Sequence, residues 1–177
     1  MKSLISWLAR INEWIAVGAG ILLLVSVAVT LFDIIARPFQ KSLGGTDELS
    51  GYAMAIATSW GISYALTSMA HVRIDLLRAR CASRGQALFD AIAILSLAGV
   101  AAIIAYRVWP VLAKTIKFNS TANTTLETPL WIPQSLWLAG WMWFAVSSII
   151  LAISVLIYVV SGRFDEVNTV AGMRGEA

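Results

Sequence analysis

Histidine and cysteine are almost missing from this chain, and charge is scarce. His71 is the only histidine and Cys81 the only cysteine. A lone cysteine forms no intrachain disulfide and no cysteine-based metal site. A lone histidine excludes an all-protein bis-histidine haem, and His71 has no Ser or Cys placed beside it as a nucleophile. No catalytic residue, metal ligand or cofactor is expected, and the chain does not read as an enzyme. Charged residues make up 13% of the 177, against 59% hydrophobic, whereas a soluble domain carries roughly 25% charged residues. Net charge is +3 with no long Lys/Arg run, so nucleic acid is not an expected partner. No internal repeat is visible.

Four long apolar blocks occupy the chain instead, the distribution of an all-α integral membrane protein with four transmembrane helices. The organising stretch begins at Asp47-Glu48, runs uncharged from Leu49 to Ala70, and closes on His71-Val-Arg73-Ile-Asp75. About twenty residues at about 1.5 Å each cross a hydrocarbon layer of about 30 Å. Within it Ala53, Ala57, Gly61 and Ala65 recur every fourth residue, a stripe of small side chains along which another helix can approach closely.

The expected spans cover residues 14–36, 48–70, 86–109 and 134–160, in one membrane domain over 1–162 with a polar tail at 163–177. Before the first span, Leu4, Leu8, Ile11 and Ile15 share a face beside Trp7 and Trp14, with Ser3, Ser6, Arg10 and Glu13 opposite. This pattern fits either a short interfacial helix or a plain extension of the span. Asp33 stands one turn before Arg37, where an i,i+4 pair lowers the cost of a carboxylate at the hydrocarbon edge. Pro38 then ends the helix, and Thr46 or Asp47 is the expected N-cap of the second. Asp90 lies early in the third block, which is expected to end at Pro110. Asn119-Ser-Thr and Asn123-Thr-Thr match an acceptor pattern for glycosylation but read as loop composition. Trp131, Trp137, Trp141 and Trp143 crowd the first half of the fourth span, as expected at a membrane–water interface.

Four spans put both termini on one side, with Lys2, Arg10, Arg73, Arg78, Arg80, Arg84, Arg163 and Arg174. The other side holds Arg37, Lys41, Arg107, Lys114 and Lys117. Four arginines in the short central loop resist translocation, so the termini and that loop are expected to be cytoplasmic. No formal charge falls at the middle of any span. Thr58, Ser59 and Ser63 do, but hydroxyls there serve helix packing more often than ligand binding. Gly18-Ala-Gly20 lies inside a span and lacks the setting of a nucleotide loop.

Taken together, Asp33-Ile-Ile-Ala-Arg37 with Gly45-Thr-Asp-Glu48, Gly61-Ile-Ser-Tyr-Ala-Leu with Ala70-His71-Val-Arg73-Ile-Asp75, and Pro129-Leu-Trp131-Ile-Pro133-Gln134 resemble the small, DctQ-type membrane subunit of tripartite ATP-independent periplasmic (TRAP) transporters. The resemblance extends from Trp14 to Val160. It implies an accessory role in sodium-coupled, elevator-type uptake of a small organic anion. The partners it implies are a large membrane subunit, whose scaffold this chain would pack against, and a transient periplasmic substrate-binding protein, with membrane lipid around both. The location it implies is the bacterial inner membrane. Asp33, Arg37, Glu48, His71, Arg73, Asp75 and Asp90 become candidates for structural or subunit-interface roles, with Arg37 paired to Asp33 or Glu48. The inner end of the second span would be fixed by His71, Arg73 and Asp75, with Asp90 as a further partner. A self-contained four-span efflux protein and the membrane anchor of a redox complex are the alternatives.

Overall fold

In the computed structural model, described residues are 2–39, 44–68, 83–124, 126–164 and 166–167. Four helices carry the fold: α1 (Lys2–Ala36), α2 (Thr46–Thr67), α3 (Ser83–Lys117) and α4 (Trp131–Val160). The described residues contain no strand beyond one isolated bridge between Thr121 and Pro129. Among the described residues, three segments are long and apolar enough to cross a membrane, Ser3–Phe39, Arg84–Lys117 and Trp131–Val160. Helix α2 is less apolar because its first turn holds Asp47 and Glu48 and its buried side holds Ser59 and Ser63. It packs on α1 along one side and on α4 along another, while α4 also packs on α3. The Ser59 hydroxyl donates to the Ile56 carbonyl at 2.9 Å within its own helix, and a helix flanked by others keeps such hydroxyls away from lipid.

Burial follows this order of packing. Half of the most apolar stretch of α4 is buried, a third of that of α3, and none of that of α1. The main core lies between α3 and α4, where Ala87, Ala91, Ile94, Ala98 and Ala101 meet Phe144, Leu151, Ala152, Val155 and Tyr158. Leu8, near the start of α1, joins this core with Leu66 of α2. Helix α1 is therefore continuous from Lys2, and its first turns extend the apolar helix; they are not a separate interfacial helix.

Prolines act differently at three positions. At Pro38, α1 has given way to a 3₁₀ turn over Arg37–Phe39, since proline cannot donate the next helical bond. Pro133 sits in the first turn of α4, where N–H groups have no helical partner to lose. Pro110, by contrast, does not end α3, which continues to Lys117. Val108 and Leu112 on either side are buried against Leu138, with Ile104 and Trp137 packed around them, and that packing holds the helix together across one missing bond.

One close helix approach involves a glycine outside the small-residue stripe. A Cβ on Gly140 of α4 would lie 2.4 Å from Ser59 Oγ and 2.9 Å from Trp60 Cδ1. The Trp60 indole N–H donates to the Leu136 carbonyl at 2.9 Å, one turn earlier on α4. In the stripe, Ala53 and Ala57 are buried, but Gly61 and Ala65 are only half-buried and a Cβ on Gly61 would meet nothing within 4 Å. Gly140→Leu should therefore destabilise the bundle by about 1–3 kcal/mol through overpacking, while Gly61→Ala should be neutral or slightly stabilising. Reversible unfolding in mixed detergent micelles measures both, and equal stability of the two variants would refute this assignment of the contact.

Candidate functional site

Polar side chains gather at two places on an otherwise apolar bundle. The first is the end where α1 and α3 finish and α2 and α4 begin, called here the distal end. Asp33 is fully buried. Its Oδ2 accepts from Arg37 Nε at 3.1 Å and lies 3.1 Å from Arg37 Nη2, so the guanidinium engages it through two nitrogens. The Thr46 hydroxyl donates to the same oxygen at 3.1 Å. A carboxylate this deep is tolerable because a cation and a hydroxyl surround it. Thr46 is thereby spent on Asp33 and does not cap α2. The cap position is Gly45, in the left-handed region at φ 75° with no side-chain capping bond, and its carbonyl accepts from the Glu48 and Leu49 N–H groups at 3.1 Å.

Glu48 is not the partner of Arg37. One of its oxygens accepts from the Tyr52 hydroxyl at 2.6 Å, and the other accepts from the Thr124 hydroxyl in the α3–α4 connection. Beside it, Gly45 lies against the Leu126 side chain, so that a Cβ there would meet Leu126 Cδ1 at 2.5 Å. These two contacts fasten the first turn of α2 and the residue before it to the α3–α4 connection. The latter is itself ordered by Ala122 N–H bonding to the Thr128 carbonyl at 2.9 Å and Leu130 N–H to the Ser120 carbonyl at 3.1 Å.

The second gathering lies deeper, around Asn12. This residue is fully buried, and its amide nitrogen donates to the Ser63 carbonyl at 3.0 Å and to Thr67 Oγ1 at 3.3 Å. Its carbonyl oxygen accepts from the Trp143 indole at 2.8 Å. One side chain thus ties α1 to α2 and α4. In the sequence the one signal for this role is a lone amide on the face of Leu8 and Ile15.

The tryptophans of α4 likewise differ from the expected interfacial belt. Trp131 is exposed, but Trp137 packs on the α3 cluster, Trp143 serves Asn12 and Trp141 meets the Phe144 ring edge-on at 6.0 Å and 72°. Asp90 is buried in α3 and engaged in a polar or electrostatic contact of its own. His71, Arg73 and Asp75 lie outside the described residues.

The arrangement is that of a multi-pass helical membrane protein whose polar groups join its own helices. A family model for the DctQ component of tripartite ATP-independent periplasmic transporters matches residues 26–158. The chain belongs to this family, the small membrane subunits of TRAP transporters, which are transport components and not enzymes. In these systems such a subunit works with a large membrane subunit and a periplasmic binding protein. No curated protein and no solved structure matches the chain.

Interhelical hydrogen bonds in membranes are worth roughly 0.6 kcal/mol on average and at most about 1.7. Asn12→Leu, which removes three, should lower stability by about 1–2 kcal/mol, and Trp143→Phe, which removes one, by about 0.6 kcal/mol. Detergent unfolding of the two single variants and the double variant tests this. Fully additive losses would mean that Asn12 and Trp143 do not act on one another.

Proposed function

We propose that this chain is the fixed accessory subunit of a sodium-coupled uptake system. It would pack against the scaffold of the large membrane subunit while a moving domain of that partner carries a small organic anion handed over by the binding protein. The observation that carries this reading is the state of α1. Its apolar stretch has none of its residues buried by its own chain, although Leu8 and Asn12 hold its first turns firmly in the bundle. With Asp33 bonded to Thr46 of α2 near its other end, α1 is a helix held at both ends and bare along its middle, and it offers a long apolar face to another membrane component.

The candidate ionic groups support a supporting role over cargo binding. Asp33 is occupied by Arg37 and Thr46, and Glu48 by Tyr52 and Thr124. The charge of Asp33 is already matched by Arg37, and each Glu48 oxygen already accepts from a hydroxyl of its own chain, so both carboxylates are committed to internal contacts. Asp33 and Glu48 would instead stiffen the distal end, and Asp90, with His71, Arg73 and Asp75, the opposite one. The termini are assigned to the cytoplasm on the arginines of the central loop.

Reconstituted into liposomes with the large subunit and the binding protein, the chain should restore sodium-driven uptake that is lost without it, and it should move no solute alone. Transport by the isolated chain would overturn the proposal in favour of a self-contained carrier. Alkaline phosphatase fused after Asn123 should be active in cells and inactive when fused after Gly162; the reverse pattern would invert the assigned orientation. Glu48→Ala should reduce co-purification with the large subunit more than Glu48→Gln, since glutamine keeps one oxygen to accept from one hydroxyl and an NH2 that can donate to the other.

A further inference from the structure

A groove runs along the seam between α1 and α2. Near the distal end it is walled by Val25, Ser26, Val29 and Thr30 of α1 and by Thr46, Tyr52 and Ala53 of α2, with a volume of 280 Å³. It continues past Leu22 and Ile56, which line both stretches, into a second stretch of 230 Å³ walled by Ile15, Gly18, Ala19, Ala57 and Trp60. From Thr30 to Ile15, at about 1.5 Å per residue, it is roughly 22 Å long. One leaflet of a hydrocarbon layer of about 30 Å is roughly 15 Å deep. The exposed lining is mostly apolar, and the groove lies between two helices held together near its ends, by Asp33 to Thr46 at one and by Asn12 to Ser63 at the other.

We propose that this groove holds an acyl chain of a zwitterionic phospholipid whose headgroup sits at the distal end. Three features favour a lipid chain over a helix. The groove is a cleft between two neighbouring helices, whereas a third helix is about 10–12 Å across and would bridge such a cleft without entering it. Its floor includes Gly18, where even a Cβ would meet nothing within 4 Å, so a helix riding over the seam would leave an unfilled void. Charges of both signs adjoin its distal end, where the groove-lining Thr46 bonds the Asp33 carboxylate that Arg37 holds. The Arg37 side chain is 54% exposed while holding Asp33, and Asp47, next to the groove-lining Thr46, is exposed. A phosphate facing the guanidinium and an ammonium facing a carboxylate satisfy both, which an anionic headgroup does not.

The proposal needs only the full chain in a bilayer, so it stands or falls separately from the transport role. The chain is placed in nanodiscs of mixed phosphatidylethanolamine and phosphatidylglycerol, released into mild detergent, and weighed intact by native mass spectrometry. Retention of one phosphatidylethanolamine per chain is expected. Ser26→Phe, which fills the upper groove, should reduce retention about tenfold, the equivalent of roughly two methylenes of lost burial. Gly18→Leu, whose Cβ would meet nothing within 4 Å, extends into the lower stretch and should act in the same direction, with helical content and elution volume unchanged. Arg37→Gln should lower the preference for phosphatidylethanolamine over phosphatidylglycerol. Retention unaffected by both filling variants would overturn the proposal, as would equal retention of the two headgroups by the native chain. Cross-linking of cysteines placed at Ser26 to the large subunit, or to a second copy of this chain, would equally overturn it by naming a protein occupant.

Discussion

The contact between α2 and α4 at Gly140 is the constraint on which the other packing depends. Only a residue without a Cβ lets Ser59 and the edge of Trp60 come so near the α4 backbone, and this nearness lets the Trp60 indole reach the Leu136 carbonyl. With the two middle helices fixed against one another, each has one side left. Helix α3 takes the other side of α4 through a run of alanines, Ala87, Ala91, Ala98 and Ala101, set against Phe144 and Leu151. Helix α1 takes the other side of α2. In lipid, where hydrophobic burial supplies little drive for helix association, small residues and polar links must do the fastening. Both are found at these seams.

Much of this was legible from spacing alone. Four apolar blocks, the break at Pro38, the Asp33–Arg37 pair and the buried Ala53 and Ala57 all follow from local pattern and helix geometry. Local pattern could not show which glycine lies against another helix, because glycine at position 61 and glycine at position 140 look alike until a partner is placed beside each. Nor could it show that Pro110 would be carried inside α3, since the outcome depends on Leu138 and Trp137 arriving from another helix. The same limit applies to Thr46, whose hydroxyl could cap its own helix or reach Asp33. The buried carboxylate wins because leaving it with Arg37 alone would cost more than leaving a solvent-accessible helix end uncapped.

Asn12 shows why the polar links were the harder part. An amide in an apolar block signals either a helix that has left the membrane or a group satisfied by distant residues. Its partners here stand 51, 55 and 131 positions away in the chain, and no periodicity connects them. Trp143 was obscured for a related reason. A tryptophan near a span's start is ordinarily an interfacial anchor, yet an indole with its N–H committed to a buried amide serves the interior. Thr124 of the α3–α4 connection belongs with these, as a loop threonine with no distinguishing neighbours that closes the distal end through Glu48.

The packing order leaves the fold asymmetric, and that asymmetry bears on function. A closed four-helix bundle would bury a face of every helix; here α1 meets chiefly α2, and its apolar middle faces outward. Evenly distributed polar links would have drawn α1 against α2 along its length. Instead they sit at its two ends, Asn12 on one side and Asp33 on the other, with Val17, Ile21, Leu24 and Val25 between them exposed. A helix pinned at both ends is held in place without needing its central face for its own fold. That face is free for lipid or a partner subunit to cover, and covering it need not disturb the links that hold the chain together.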